Sequence, residues 1–128
     1  MLIDIYRELT NQISEFIGTP RGTKVQIGET ESRESSISIV LDTNKEKTKW
    51  EICGKIRYVY DLKLIYQIEA QTNSKKYKIY TYFEDLIKYL QGHKKETYSS
   101  IEVENIPILK QKNVNGLDIF ELNCLLYP

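Results

Sequence analysis

From Trp50 to Ala70 the chain alternates without a break. Trp50, Ile52, Gly54, Ile56, Tyr58, Tyr60, Leu62, Leu64, Tyr66, Ile68 and Ala70 hold the even positions, and Glu51, Lys55, Arg57, Asp61, Lys63, Gln67 and Glu69 hold most of the odd ones. A period of two is the signature of a strand with one buried face. At about 3.3 Å per residue the run would reach roughly 70 Å, whereas a globule of this chain length is only about 36 Å across. Either the run bends or part of it leaves the core.

The flanking segments supply the rest of a core. Leu2, Ile5, Tyr6, Leu9, Ile13, Phe16 and Ile17 recur at helical spacing, which predicts an amphipathic helix; Gly18 is placed to end it near Ile17, and Pro20 forbids its continuation. Lys24 to Ile27 reads as a short strand, GETESRESS as a polar loop, and residues 36 to 41, SISIVL, as a β-branched strand handed on by the turn DTNKEK into the Trp50 run. Past Ala70, Asn73 or Ser74 caps a second helix whose stripe is Tyr77, Tyr80, Phe83, Leu86, Ile87 and Leu90, ending at Gly92. SIEVENIPIL follows, restricted by Pro107 to an edge or irregular strand; then the turn NVNG and the closing strand LDIFELNCLLY. The order α-β-β-β(β)-α-β-β predicts one α+β domain over residues 1–128, two helices on one mainly antiparallel sheet. Its expected core includes Leu9, Ile13, Ile39, Leu64, Phe83, Leu86 and Phe120.

Composition narrows the function classes. The 18 basic residues balance the 18 acidic ones, so no global field draws the chain to nucleic acid or an anionic membrane, and sequence-specific nucleic-acid binding is not expected. No apolar run approaches the ~20 residues of a bilayer span, and MLIDIYRELT lacks the basic-then-apolar character of a signal peptide, so a cytosolic location is expected. The 10 tyrosines suit half-buried strand faces and wet contact surfaces.

Candidate chemistry is sparse. Cys53 and Cys124 lie in strand-like runs with no CxxC spacing and read as reduced, buried thiols, although a disulfide between them is open on sequence alone. His93, the single histidine, sits in a polar connector, and three N or S ligands in all do not make a zinc site. No cofactor motif is present. Asp61-Leu62-Lys63 is the one enzymatic pattern: a carboxylate and an ammonium on one strand face, with Asp42 and Glu8 as further carboxylates, is the layout of a two-metal nuclease, and the element order also resembles the restriction-endonuclease-like core. The same triplet is common on any polar strand face. Lys75, Lys76, Lys78 and His93-Lys94-Lys95 read as solvated helix ends.

Over nearly its full length the chain resembles the tail-terminator and minor-capsid (tail-completion) proteins of tailed bacteriophages and phage-derived tail particles. The resemblance is carried by the opening helix LIDIYRELTNQISEFIG, the unit SISIVLDTNKEKTKWEICGKIRYVY, and above all QIEAQTNSKKYKIYTYFEDLIKYLQG and the ending IPILKQKNVNGLDIFELNCLLYP, with Ile106-Pro107 ahead of an Asn115-Gly116 turn. It implies a structural protein with no catalytic, metal or cofactor site. Such a protein forms a homo-hexameric ring at the head-proximal end of a tail tube, contacting copies of itself, the tail-tube protein and the head-side connector. Its expected place is the virion tail, or the bacterial cytoplasm during assembly. Under that resemblance the outer half of the long strand reaches across a neighbour, with Trp50, Tyr58 and Tyr60 as interface anchors and Asp61 as the bend. A cytosolic binding or immunity-type module is the alternative, and the nuclease a second one.

Overall fold

The computed structural model describes residues 2–28, 35–44, 49–50, 56–69, 73–114 and 116–127. In chain order the elements are α1 (Leu2–Glu15), β1 (Lys24–Ile27), β2 (Ser36–Thr43), β3 (Lys49–Trp50), β4 (Ile56–Arg57), β5 (Tyr60–Glu69), α2 (Asn73–Gly92), β6 (Ser100–Val103), β7 (Ile108–Val114) and β8 (Leu117–Tyr127). This is the expected α+β architecture: two helices and a mainly antiparallel sheet of six strands, in the order β1-β2-β5-β8-β6, with β7 also on β8. Among the described residues no helix is long and apolar enough to cross a membrane.

The sheet is organised around β5 and β8, which pair over ten positions from Tyr60↔Leu126 to Glu69↔Leu117. Because paired residues share a face, Leu62, Leu64 and Tyr66 of β5 align with Cys124, Leu122 and Phe120 of β8, and with Leu41, Ile39 and Ile37 of β2. All nine are buried, and they meet Phe83, Leu86 and Leu90 of α2 and Ile5, Leu9 and Ile13 of α1 in one core. Every core residue expected from the pattern is there. Tyr66 stands edge-on to Tyr82 and Phe83, with ring centroids 5.4 and 6.1 Å apart, and Tyr80 stands edge-on to Phe120 at 5.8 Å, the geometry that aromatic quadrupoles favour.

Four details depart from the periodicity. The long run is not one strand bent at Asp61: Asp61 lies inside the regular β2–β5–β8 ladder, and the break falls at Tyr58 and Val59, where the exposed residue is Tyr58 and the buried one Val59, so the alternation changes phase. SIEVENIPIL divides into β6 and β7, because Pro107 cannot donate to a ladder. Tyr77, expected in the apolar stripe, is 73% exposed at the start of α2. Finally, α1 stops at Glu15 and Gly18 does not adopt the left-handed conformation; the freed carbonyls are satisfied by Phe16 and Thr19, whose hydroxyl donates to the Ile13 carbonyl at 2.8 Å.

β1 is the one parallel neighbour, and it covers β2 only as far as Ile39. Beyond it the Leu41 N–H is met by the Tyr6 hydroxyl at 2.8 Å, so the helix supplies the bond that the short edge strand cannot. A second clasp joins α1 to the connector after α2. The Glu8 carboxylate accepts hydrogen bonds from the Glu96 and Thr97 N–H groups and the Thr97 hydroxyl at 2.9–3.2 Å, and the buried Tyr98 hydroxyl donates to Gln12 at 2.7 Å.

Two predictions follow from this packing. Truncating Phe83 to alanine removes a fully buried ring from the α2–sheet contact and should lower the urea unfolding free energy by about 3–5 kcal/mol; a loss under 1 kcal/mol would mean that the core is misplaced. Burial pushes the Glu8 carboxyl up, but the Glu96 and Thr97 bonds and the nearby His93 outweigh it and hold it below its ordinary 4.5. A depressed folded value means that the stabilisation is present above the unfolded value and fades as pH falls through the folded one. The stability gap between wild type and Glu8→Gln should therefore be constant above about pH 5 and shrink below pH 4; a gap that grows on acidification would contradict the clasp.

Candidate interaction surface

The hairpin formed by β2 and β5 does not end with the main sheet. After Thr43↔Tyr60 the Asn44 N–H still donates to the Val59 carbonyl at 2.7 Å, and farther out β3 and β4 form a separate two-stranded ladder, Lys49↔Arg57 and Trp50↔Ile56. Five residues separate Thr43 from Lys49, but only two separate Arg57 from Tyr60. The described residues there, Lys49–Trp50 and Ile56–Arg57, thus form a short arm, a ladder apart from the six-stranded sheet, and next to it the Asn44 amide donates to Asp61 at 2.9 Å.

The three expected anchors fall in different places. Tyr60 is half-buried against the core, beside Thr43 and Leu126. Tyr58, at the arm's root, is 45% exposed. Trp50 is placed in β3 by its backbone, and its side chain lies outside the described residues, as does Cys53.

The carboxylates considered for metal chemistry are only partly gathered. Asp42 and Asp61 are direct cross-strand partners, and with Lys63 they point, by alternation, to the face away from the helices. Glu8 is on α1, across the sheet, with its oxygens engaged by the Glu96–Thr97 backbone. Lys63 reaches Glu121 at 3.7 Å, and Lys110 reaches the same carboxylate at 3.2 Å. Two half-exposed ammonium groups thereby pair one buried anion, which would otherwise be costly to desolvate. Among the described residues no group of three or more potential ligands could hold a metal ion. His93 is exposed and its ring rests on Tyr89, 5.0 Å between centroids.

A second surface was not singled out by the sequence. Between the outer flank of α2 and the β6–β7 link lies a groove of about 730 Å³, lined by Tyr80, Phe83, Ile87, Val103, Ile106 and Leu122. Ile106 at its lip is 82% exposed. Nearby, the Glu104 N–H donates to the Asn123 carbonyl at 2.9 Å and the Gln91 side-chain amide of α2 donates to the Ile101 carbonyl of β6 at 3.1 Å. The one sequence signal for it is an isoleucine before proline in an otherwise polar link, VENIP.

No protein-family model matches this chain, and a comparison with curated proteins finds no match.

Cys124 is a free thiol inside the core, and burial together with the nearby Glu104 carboxylate pushes its pKa up to about 12. In a Cys53→Ser background the native protein should therefore resist thiol reagents at pH 8 and react only after denaturation. Rapid labelling of the folded chain would place Cys124 outside the core.

Proposed function

We propose that this chain is a structural assembly subunit of the tail-terminator or tail-completion type. In this reading it acts as a non-catalytic member of a hexameric ring that closes the head-proximal end of a tail tube and docks to the head-side connector. The observation that carries the proposal is the arm. Between two strands of a sheet that already has its core, the described residues form a second, separate ladder, and a ladder of two residues on each strand is too short to be stable alone in water. Such an arm finds its partner in another chain or on a tube. The resemblance in element order supports the same role, as does the ending in which Ile106-Pro107 and Asn115-Gly116 lead into β8. A closed ring of identical subunits uses two different complementary surfaces on each copy, which suits a chain with an arm on one part and an apolar groove on another. Balanced charge keeps long-range repulsion between packed copies small. The chain would act in the cytoplasm of the bacterial host during assembly and remain in the tail or tail-like particle, without a cofactor.

The test is light scattering over a wide concentration range, then incubation with polymerised tail-tube protein from the same genome and negative-stain microscopy. Rings or capped tubes of limited length are expected, and plasmid and single-stranded DNA should stay intact with Mg²⁺ or Mn²⁺. A strict monomer that neither caps tubes nor limits their length would rule the proposal out. Metal-dependent cutting that disappears in Asp61→Asn would replace it with the nuclease.

A further inference from the structure

We propose that the outer edge of β1, Lys24–Ile27, pairs with β1 of a second copy of this chain, the two strands running antiparallel across a two-fold axis at Gln26. The contact goes beyond the ring proposed above and does not rest on it, because a two-fold contact is isologous whereas a ring is closed by heterologous ones.

The direction of the backbone groups comes first. The Lys24 N–H donates to the Ser35 carbonyl at 3.1 Å and the Gly28 N–H to the Ile39 carbonyl at 2.8 Å, so the even positions of β1 face β2. Alternate residues of a strand turn their N–H and C=O to opposite sides. Val25 and Ile27 therefore direct both backbone groups away from β2, to the edge of the sheet.

Among the described residues the other edge segments each carry a device against pairing. β7 shifts register on β8 at Leu109/Gln111 and again at Gln111/Val114. The Ile101 carbonyl of β6 is capped by the Gln91 amide at 3.1 Å, and where β1 stops covering β2 the Leu41 N–H is met by the Tyr6 hydroxyl at 2.8 Å. Bulges and covers of this kind keep strand edges from joining. β1 has a regular register, no proline, and no charge in Val25-Gln26-Ile27.

This edge is complementary to itself. With the axis at Gln26, Val25 stands opposite Ile27 of the second copy and Ile27 opposite its Val25, and each such narrow pair exchanges two hydrogen bonds, so every outward group of both copies is used. Val25 and Ile27 share the helix-side face with Ile37 and Ile39; Ile27, 48% exposed in the single chain, would pack on Val25 of the second copy. Gln26 is on the other face, where its amide donates to the Ser38 hydroxyl at 3.2 Å, and its oxygen can accept from Gln26 of the second copy. Lys24 falls opposite Gly28 of the second copy, so no like charges meet. The contact is far smaller than the about 1,600 Å² of a standard interface, so the dimer is weak and forms as concentration rises.

Disulfide trapping tests a weak contact directly. Gln26→Cys in a Cys53→Ser background brings two thiols together on the axis, while Cys124 is buried and takes no part. Mild oxidation should give a covalent dimer about tenfold faster than for Lys24→Cys in the same background, whose thiols would lie about 14 Å apart along the strands, beyond the reach of a disulfide. Without cross-linking, sedimentation of the wild-type chain should show dimer increasing with concentration. Ile27→Pro removes an outward N–H that β2 does not use, so it should abolish the dimer and leave native circular dichroism. Equal trapping rates for Gln26→Cys and Lys24→Cys, or a wild-type dimer that survives in a folded Ile27→Pro chain, overturn the contact. Should Ile27→Pro unfold, the comparison of the two cysteine variants decides alone.

Discussion

The whole structure depends on one sandwich of apolar side chains, the inner face of β5 and β8 against α2. Neither component is stable alone: the helix is amphipathic and bare on one side, and two long strands without a cover would offer a wide apolar face to water. Joined, they bury Leu62, Leu64, Tyr66, Phe120 and Leu122 with Phe83, Leu86 and Leu90, and this layer sets the register of the strands paired with β5 and β8. A slip of β5 by one residue would turn Lys63 and Asp61 inward, a cost no neighbour could offset. Around that layer α1 closes the β2 side, and polar bonds from Tyr6, Glu8 and Gln12 tie it down where packing alone leaves backbone groups unmet.

The features that point outward are placed where the fold does not need them. Ile106 and Tyr58 are large and exposed, and among the described residues the β3–β4 ladder pairs with no strand of the main sheet. Changes at these positions can alter association with little effect on folding, which is what separates an assembly surface from a core. On the face away from the helices the pattern differs: Glu121, Lys63 and Lys110 hold a buried anion between two cations, flanked by half-buried Ile65 and Ile119. That face is neither an ordinary solvated one nor a second core.

Most of the fold was legible because helix and strand periods are local. The stripes of α1 and α2, the helix end at Gly92, the turn at Gly116, and the alternation of β5 and β8 all follow from spacing. What spacing could not give was partnership. Nothing local says that β1 runs parallel to β2, that β6 and β7 share one neighbour, or that Glu8 finds its donors 88 and 89 residues away. The length argument correctly required that the Trp50 run divide, yet it put the division at the charged Asp61 rather than at Tyr58-Val59, because a charge on the open face of a strand needs no break at all. The division was therefore anticipated in outline, and the groove was not, since its walls come from three separated segments.

β8 has a further consequence. It lies in the middle of the sheet, bonded to β5 on one side and to β6 and β7 on the other, yet it follows every other described element in the chain. During synthesis on a ribosome, β2, β5 and both helices emerge before the strand that completes their common face. Until it appears they can form only a partial hairpin with its apolar side open to water. The cooperative step then waits for residues beyond Leu117. A ribosome stalled before that point would hold a sticky nascent chain, whereas emergence of β8 converts it in one step to a closed body.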